Sequence, residues 1–167
     1  MSIRKYLGHY PPQIIQQVEA LLAQGRLADM LLSRYPKVHT VANNQQLRSY
    51  VQAIKTQYLK KSSPLSKVVY DGNLHVLHNA LGMHSSVSRV QGGRLKSKNE
   101  IRISAVFKNV PEPFLKMIAV HELAHLKESD HNKAFYRLCN YMLPDYQQLE
   151  FDTRLYLVQL ELNGPLY

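Results

Sequence analysis

At 167 residues, with 45% hydrophobic and 20% charged residues, the chain has an ordinary globular composition and enough length to bury a core as one domain over 1–167. Its one cysteine, Cys139, excludes an internal disulfide framework and suits a reducing, cytoplasmic setting. No apolar run reaches transmembrane length, which argues against a membrane partner, and a formal net charge of +9 favours acidic or polyanionic ones.

Residues 1–62 read as a helical amino-terminal part. Ile14, Ile15, Val18, Leu21 and Leu22 recur at helical spacing behind Pro11-Pro12, and Gly25 ends the run. Leu27 to Tyr35 predicts a second short helix stopped by Pro36. Asn43 or Asn44 is placed to cap a third, with Leu47, Val51, Ile54 and Tyr58 as its apolar stripe.

The period then changes, and 67–160 reads as the catalytic core. Lys67 to Tyr70 and Leu74 to Leu77 flank Asp71-Gly72, the signature of a tight hairpin. Ser85 to Gln91 is a third strand candidate, broken by Gly92-Gly93, and Gly93 to Glu100 is a polar, basic loop. Ile101 to Phe107 is the strongest strand. Pro111 and Pro113 stop it, and Glu112 suits the first turn of a helix over about 112–127. After a turn, Phe135, Leu138, Cys139 and Met142 share one side of a further helix. Pro144 breaks that helix and Asp145 can cap a last one carrying Leu149, Leu155, Leu157, Val158 and Leu160. Cys139 and Met142 are expected to be core residues. Helices, then strands, then helices indicate an α+β fold with a small, mainly antiparallel sheet.

The chemistry concentrates in Val120-His121-Glu122-Leu123-Ala124-His125. Four residues apart on a helix, His121 and His125 present both imidazoles on one face, where they can take two positions of a tetrahedral zinc. Glu122 lies about a third of a turn away, placed to reach a water on that zinc as general base. This is the HExxH arrangement of zinc-dependent hydrolases. A third ligand must come from elsewhere. His131 is six residues beyond His125, so the helix must end after Leu126-Lys127 and turn through Glu128-Ser129-Asp130. Asp130 would then cap a helix starting near His131. The competing ligand is the carboxylate of Glu150.

These residues, with His131-Asn132-Lys133-Ala134-Phe135-Tyr136 and Leu143-Pro144-Asp145-Tyr146, resemble the YgjP-like zinc metallopeptidases, relatives of the SprT-like and Wss-like proteases in the zincin class. The likeness covers nearly the whole chain and is densest from Lys67 to Leu160. It implies a zincin-like fold, zinc on His121, His125 and His131, and Glu122 as catalytic base. It also implies that Ile101 to Phe107 lines the cleft, where an extended peptide could pair with its edge. Many relatives carry Trp-Gly-Ser-Cys before that strand. Here Ser88-Arg89-Val90-Gln91-Gly92-Gly93 stands instead, so substrate-side details do not carry over.

The expected function is hydrolysis of peptide bonds in a protein or peptide substrate, with His84, Arg89, Tyr136, Tyr141 and Tyr146 as candidate oxyanion donors. A second metal site at His75 and His78 is the weaker reading of those residues. Two alternatives rest on Arg89, Arg94, Lys96, Lys98, Arg102 and Lys108, six basic residues within 89–108 that could follow phosphates. One is a nucleic-acid-associated protein with a structural zinc. The other is a protease acting on DNA-bound proteins, a habit the SprT-like and Wss-like resemblance implies.

Overall fold

Seven helices and two small strand pairs make up the described part of the chain, and two buried helices at its centre carry the site. The structure is a computed structural model that describes residues 2–74, 90–91, 94–95 and 99–167.

Helix α1 (Ser2–Leu7) has no strong sequence signal; Lys5 and Tyr6 both reach Glu161, at 2.8 and 3.2 Å, and Leu7 is fully buried. Helix α2 (Pro12–Ala23) opens with proline in its first turn and is followed by Gly25 at φ 66°, a backbone conformation that glycine adopts without strain. Helix α3 (Leu27–Arg34) follows. Helix α4 (Asn44–Tyr58) is capped by Asn43, whose side chain accepts from the Gln46 N–H at 2.8 Å, while Gln46 accepts in return from Ala42. All three match the helical runs of the sequence.

The sheet departs from expectation. Strand β1 (Lys67–Asp71) ends in the predicted turn, with the Asn73 N–H donating to Asp71 Oδ1 at 2.9 Å. The expected return arm, from residue 75 onward, lies outside the described residues. Strands β2 (Val90–Gln91) and β3 (Arg94–Leu95) form a short antiparallel pair, so 94–95 is not loop. Strand β1 pairs instead with β4 (Glu100–Ser104), and the pairing is parallel, from Lys67 opposite Glu100 to Asp71 opposite Ser104. The described main sheet is therefore a two-stranded parallel one, which corrects the mainly antiparallel sheet. Four of the five residues of β4 are buried, the pattern of a parallel strand covered on both faces. Apolar alternation reports burial and carries no strand direction.

Strand β4 also stops short of Phe107. The Ser104 hydroxyl accepts from the Val106 N–H at 3.3 Å and folds Ala105–Asn109 into a 3₁₀ turn that buries Phe107. His39 ties this turn to the amino-terminal half: its Nε2 lies 2.8 Å from the Phe107 carbonyl, and its own N–H donates to Val110. Helix α5 (Glu112–Ala124) then starts behind Pro111 with Glu112 in its first turn.

Ten residues of α5, from Phe114 to Ala124, are buried, so the helix is enclosed all round by β4, α4, α6 and α7. Helix α6 (Lys133–Met142) lays Phe135, Cys139 and Met142 into the core, as expected for Cys139 and Met142. Helix α7 (Tyr146–Asn163) follows Pro144; Asp145 sits at its N-cap position but makes no side-chain capping bond. Helix α7 packs against α1, α3, α5 and α6 and buries polar groups with partners. Asp152 accepts from Tyr35, Gln148 and Arg34, and Arg154 donates to the Tyr6 carbonyl at 2.9 Å. No helix among the described residues is long and apolar enough to cross a membrane.

Candidate metal centre

His121 and His125 leave α5 on one face, and His125 ends the helix. The chain then tightens: Leu126 donates to the Leu123 carbonyl, and Lys127 and Glu128 both donate to Ala124, at 3.1 and 2.9 Å. Among the described residues the only non-glycine with positive φ is Asn99. The turn is therefore made without a left-handed residue, and Glu128 occupies its position without backbone strain.

The restart of the helix differs from expectation. Its cap is Asn132, whose side chain accepts from the Phe135 N–H at 2.9 Å, and not Asp130. His131 thus lies just before the cap, where the chain reverses and brings the imidazole back over α5. Asn132→Ala is expected to cost about 1 kcal/mol of stability, measured by urea unfolding.

The three imidazoles converge. Nε2 of His125 lies 3.2 Å from that of His121 and 2.9 Å from that of His131, and the third edge of the triangle is 3.1 Å. For a side near 3.1 Å, the triangle's centre lies about 1.8 Å from each nitrogen (side divided by √3), slightly inside a zinc–nitrogen bond of about 2.0–2.1 Å. The three nitrogens are thus spaced as ligands of a single ion would be, and the donor set fits a metal.

Second partners orient two of these rings. His125 Nδ1 lies 2.9 Å from the Glu128 carbonyl, which only accepts, so Nδ1 carries the proton and Nε2 is bare. His121 Nδ1 lies 2.7 Å from the Tyr146 hydroxyl, which donates to Glu150 Oε2 at 2.8 Å. Arg154 stands behind, its Nε 3.6 Å from the other Glu150 oxygen. Phe135, fully buried, floors the site with its ring centroid 5.0, 4.5 and 4.7 Å from those of His121, His125 and His131. Glu122 is buried beside His121 on the same helix. Its charge reaches Cys139, whose thiol is pushed well up by burial first and by Glu150 and Glu122 as lesser causes. Cys139 therefore remains a protonated core thiol.

The other candidates divide. Glu150, the alternative third ligand, is spent on Tyr146, one residue removed from the nitrogens. Tyr146 is fully buried behind His121, which places it away from an oxyanion role; burial, with the Glu150 charge, holds its phenol well above the usual range. Tyr141 is exposed and stacks edge-on to Tyr58. Tyr136 stays within reach of the site, its ring 6.4 Å from that of His131, and burial pushes its phenol up to about 12. His75, His78, His84 and Arg89 lie outside the described residues. So do the side chains of Arg94, Lys96 and Lys98. The two basic residues of that stretch that are described are engaged within the chain, Arg102 with Asp71 and Glu100 and Lys108 over the Tyr70 ring.

Sequence reading missed the orienting role of Tyr146 and Glu150. Their i, i+4 spacing was visible, but nothing local ties them to His121, 25 residues earlier.

The family model described as YgjP-like, metallopeptidase domain matches residues 32–153. The chain is 57% identical over 163 residues to the UTP pyrophosphatase of Escherichia coli (strain K12), covering 98% of each chain. No solved structure matches. Both names are those of hydrolases.

Proposed function

We propose, since the chain belongs to the YgjP-like metallopeptidase domain family, that it is a zinc-dependent hydrolase in which His121, His125 and His131 hold the ion. The observation that carries this reading is the convergence of three ring nitrogens on one point beside a buried glutamate. When bound, the ion supplies Lewis acidity and makes its water far more acidic. Glu122 takes the proton of the attacking water and delivers it to the leaving group.

We assign the substrate to the nucleoside triphosphates, UTP first, with water attacking phosphorus and pyrophosphate leaving. Support comes from the whole-length likeness to a UTP pyrophosphatase and from the net charge of +9, which draws in a polyanion. A second reading is peptide-bond hydrolysis, favoured by the HExxH arrangement and the family description. Both use the same water and the same base.

The test is to incubate zinc-loaded protein separately with UTP and with casein, with and without a chelator. Pyrophosphate release from UTP that stops on chelation supports the first reading. Casein cleavage without UTP turnover supports the second. Turnover of either that survives complete metal removal would sink the metal-dependent mechanism.

A further inference from the structure

We infer that Tyr146, set by Glu150 and Arg154, is a positioning residue that holds His121 with Nε2 bare towards the metal position; this rests on the reading of the three histidines as the ion's ligands. The phenol has one proton to give, and His121 Nδ1 lies 2.7 Å and Glu150 Oε2 2.8 Å from it, with the protonated Cys139 thiol also beside it. Arg154, whose Nε is 3.6 Å from Glu150 Oε1, complements a carboxylate that only accepts. The phenol proton therefore goes to Glu150, and the hydroxyl oxygen is left to accept from His121. An imidazole that donates from Nδ1 has its lone pair on Nε2, the atom that faces His125 and His131.

The direction of the whole relay is thus decided at its far end. Arg154 is held in turn by the Tyr6 carbonyl at 2.9 Å, so the register of one metal ligand is referred through α7 to α1. His125 needs no such device, because a backbone carbonyl can only accept. His121 Nδ1 faces a hydroxyl instead, and a hydroxyl alone could face it either way. The carboxylate–arginine pair removes that ambiguity. It also gives a reason for burying Glu150 and Arg154 on α7, where apolar residues would pack as well.

The test uses the full chain and compares wild type, Tyr146→Phe, Glu150→Gln and His121→Ala. Zinc affinity is measured by chelator competition, and the Nδ1–H resonance of His121 is followed by ¹⁵N-edited NMR of the zinc-loaded protein. Tyr146→Phe keeps the buried ring and is expected to weaken zinc binding about 10–100-fold. The His121 Nδ1–H signal, protected in wild type, is expected to disappear through exchange. Glu150→Gln keeps the shape of the relay but offers Tyr146 an amide in place of the carboxylate; it should weaken binding in the same direction, and it serves if Tyr146→Phe does not fold. Wild-type affinity and an intact resonance in both variants, with zinc lost in His121→Ala, overturn the positioning role and leave the three-histidine centre standing. A wild-type protein that takes up no zinc overturns both.

Discussion

Glu122→Gln is expected to lower kcat by about 10²- to 10⁴-fold while zinc content stays at the wild-type level. The two side chains have nearly the same volume, so the buried surroundings of Glu122 on α5 need not move. What changes is proton affinity: the amide can hold the water by a hydrogen bond but cannot take its proton. Substrate binding and metal occupancy rest on other groups, so the loss should fall on kcat, with KM little altered. Steady-state kinetics together with metal analysis on the same preparation check this. Undiminished turnover in a fully loaded variant would remove Glu122 from the mechanism, whichever bond is cut.

Phe135→Ala is expected to destabilise the fold by about 3–5 kcal/mol, the largest effect of any single side chain proposed for substitution. The ring is fully buried, contacts all three imidazoles edge-on or tilted, and also meets Tyr136. Its removal leaves a void under rings that must hold their nitrogens within 3.2 Å of one another. Zinc affinity should therefore fall along with stability. Phe135→Leu restores part of the volume and should recover part of both. Urea unfolding of apo and zinc-loaded protein separates the two effects, because added zinc stabilises only a folded state that still binds it. A variant with normal zinc affinity and reduced stability would show that the floor packs the core without shaping the site.

What could be read from the chain beforehand followed how local each signal was. Helices α2 to α4 announce themselves through prolines, glycine and an asparagine cap within a turn or two of their ends. The His121, Glu122 and His125 pattern is equally local, because helical spacing alone sets their shared face. His131 was reachable by asking where the helix must stop, although the cap proved to be Asn132 and not Asp130. Two kinds of feature were not legible. Strand direction was one: Asp71-Gly72 does turn, yet β1 takes its partner from a strand beginning at Glu100. The other was the relay behind His121, whose members at 121, 146, 150 and 154 meet only through the packing of α5 on α7. Helix α7 itself shows little amphipathic contrast, because it is buried on nearly every side and mixes paired polar groups with apolar ones.

The packing of α1 on α7 carries a consequence for biosynthesis. Lys5 and Tyr6 leave the ribosome 148–156 residues ahead of Arg154 and Glu161, which hold them. At translation rates of about 5–20 residues per second, α1 waits roughly 8–30 s for its partner. Six residues are too few to stay helical alone in water over that interval. Under the metal reading proposed above, His121 is therefore fully oriented for an ion only after synthesis has reached α7.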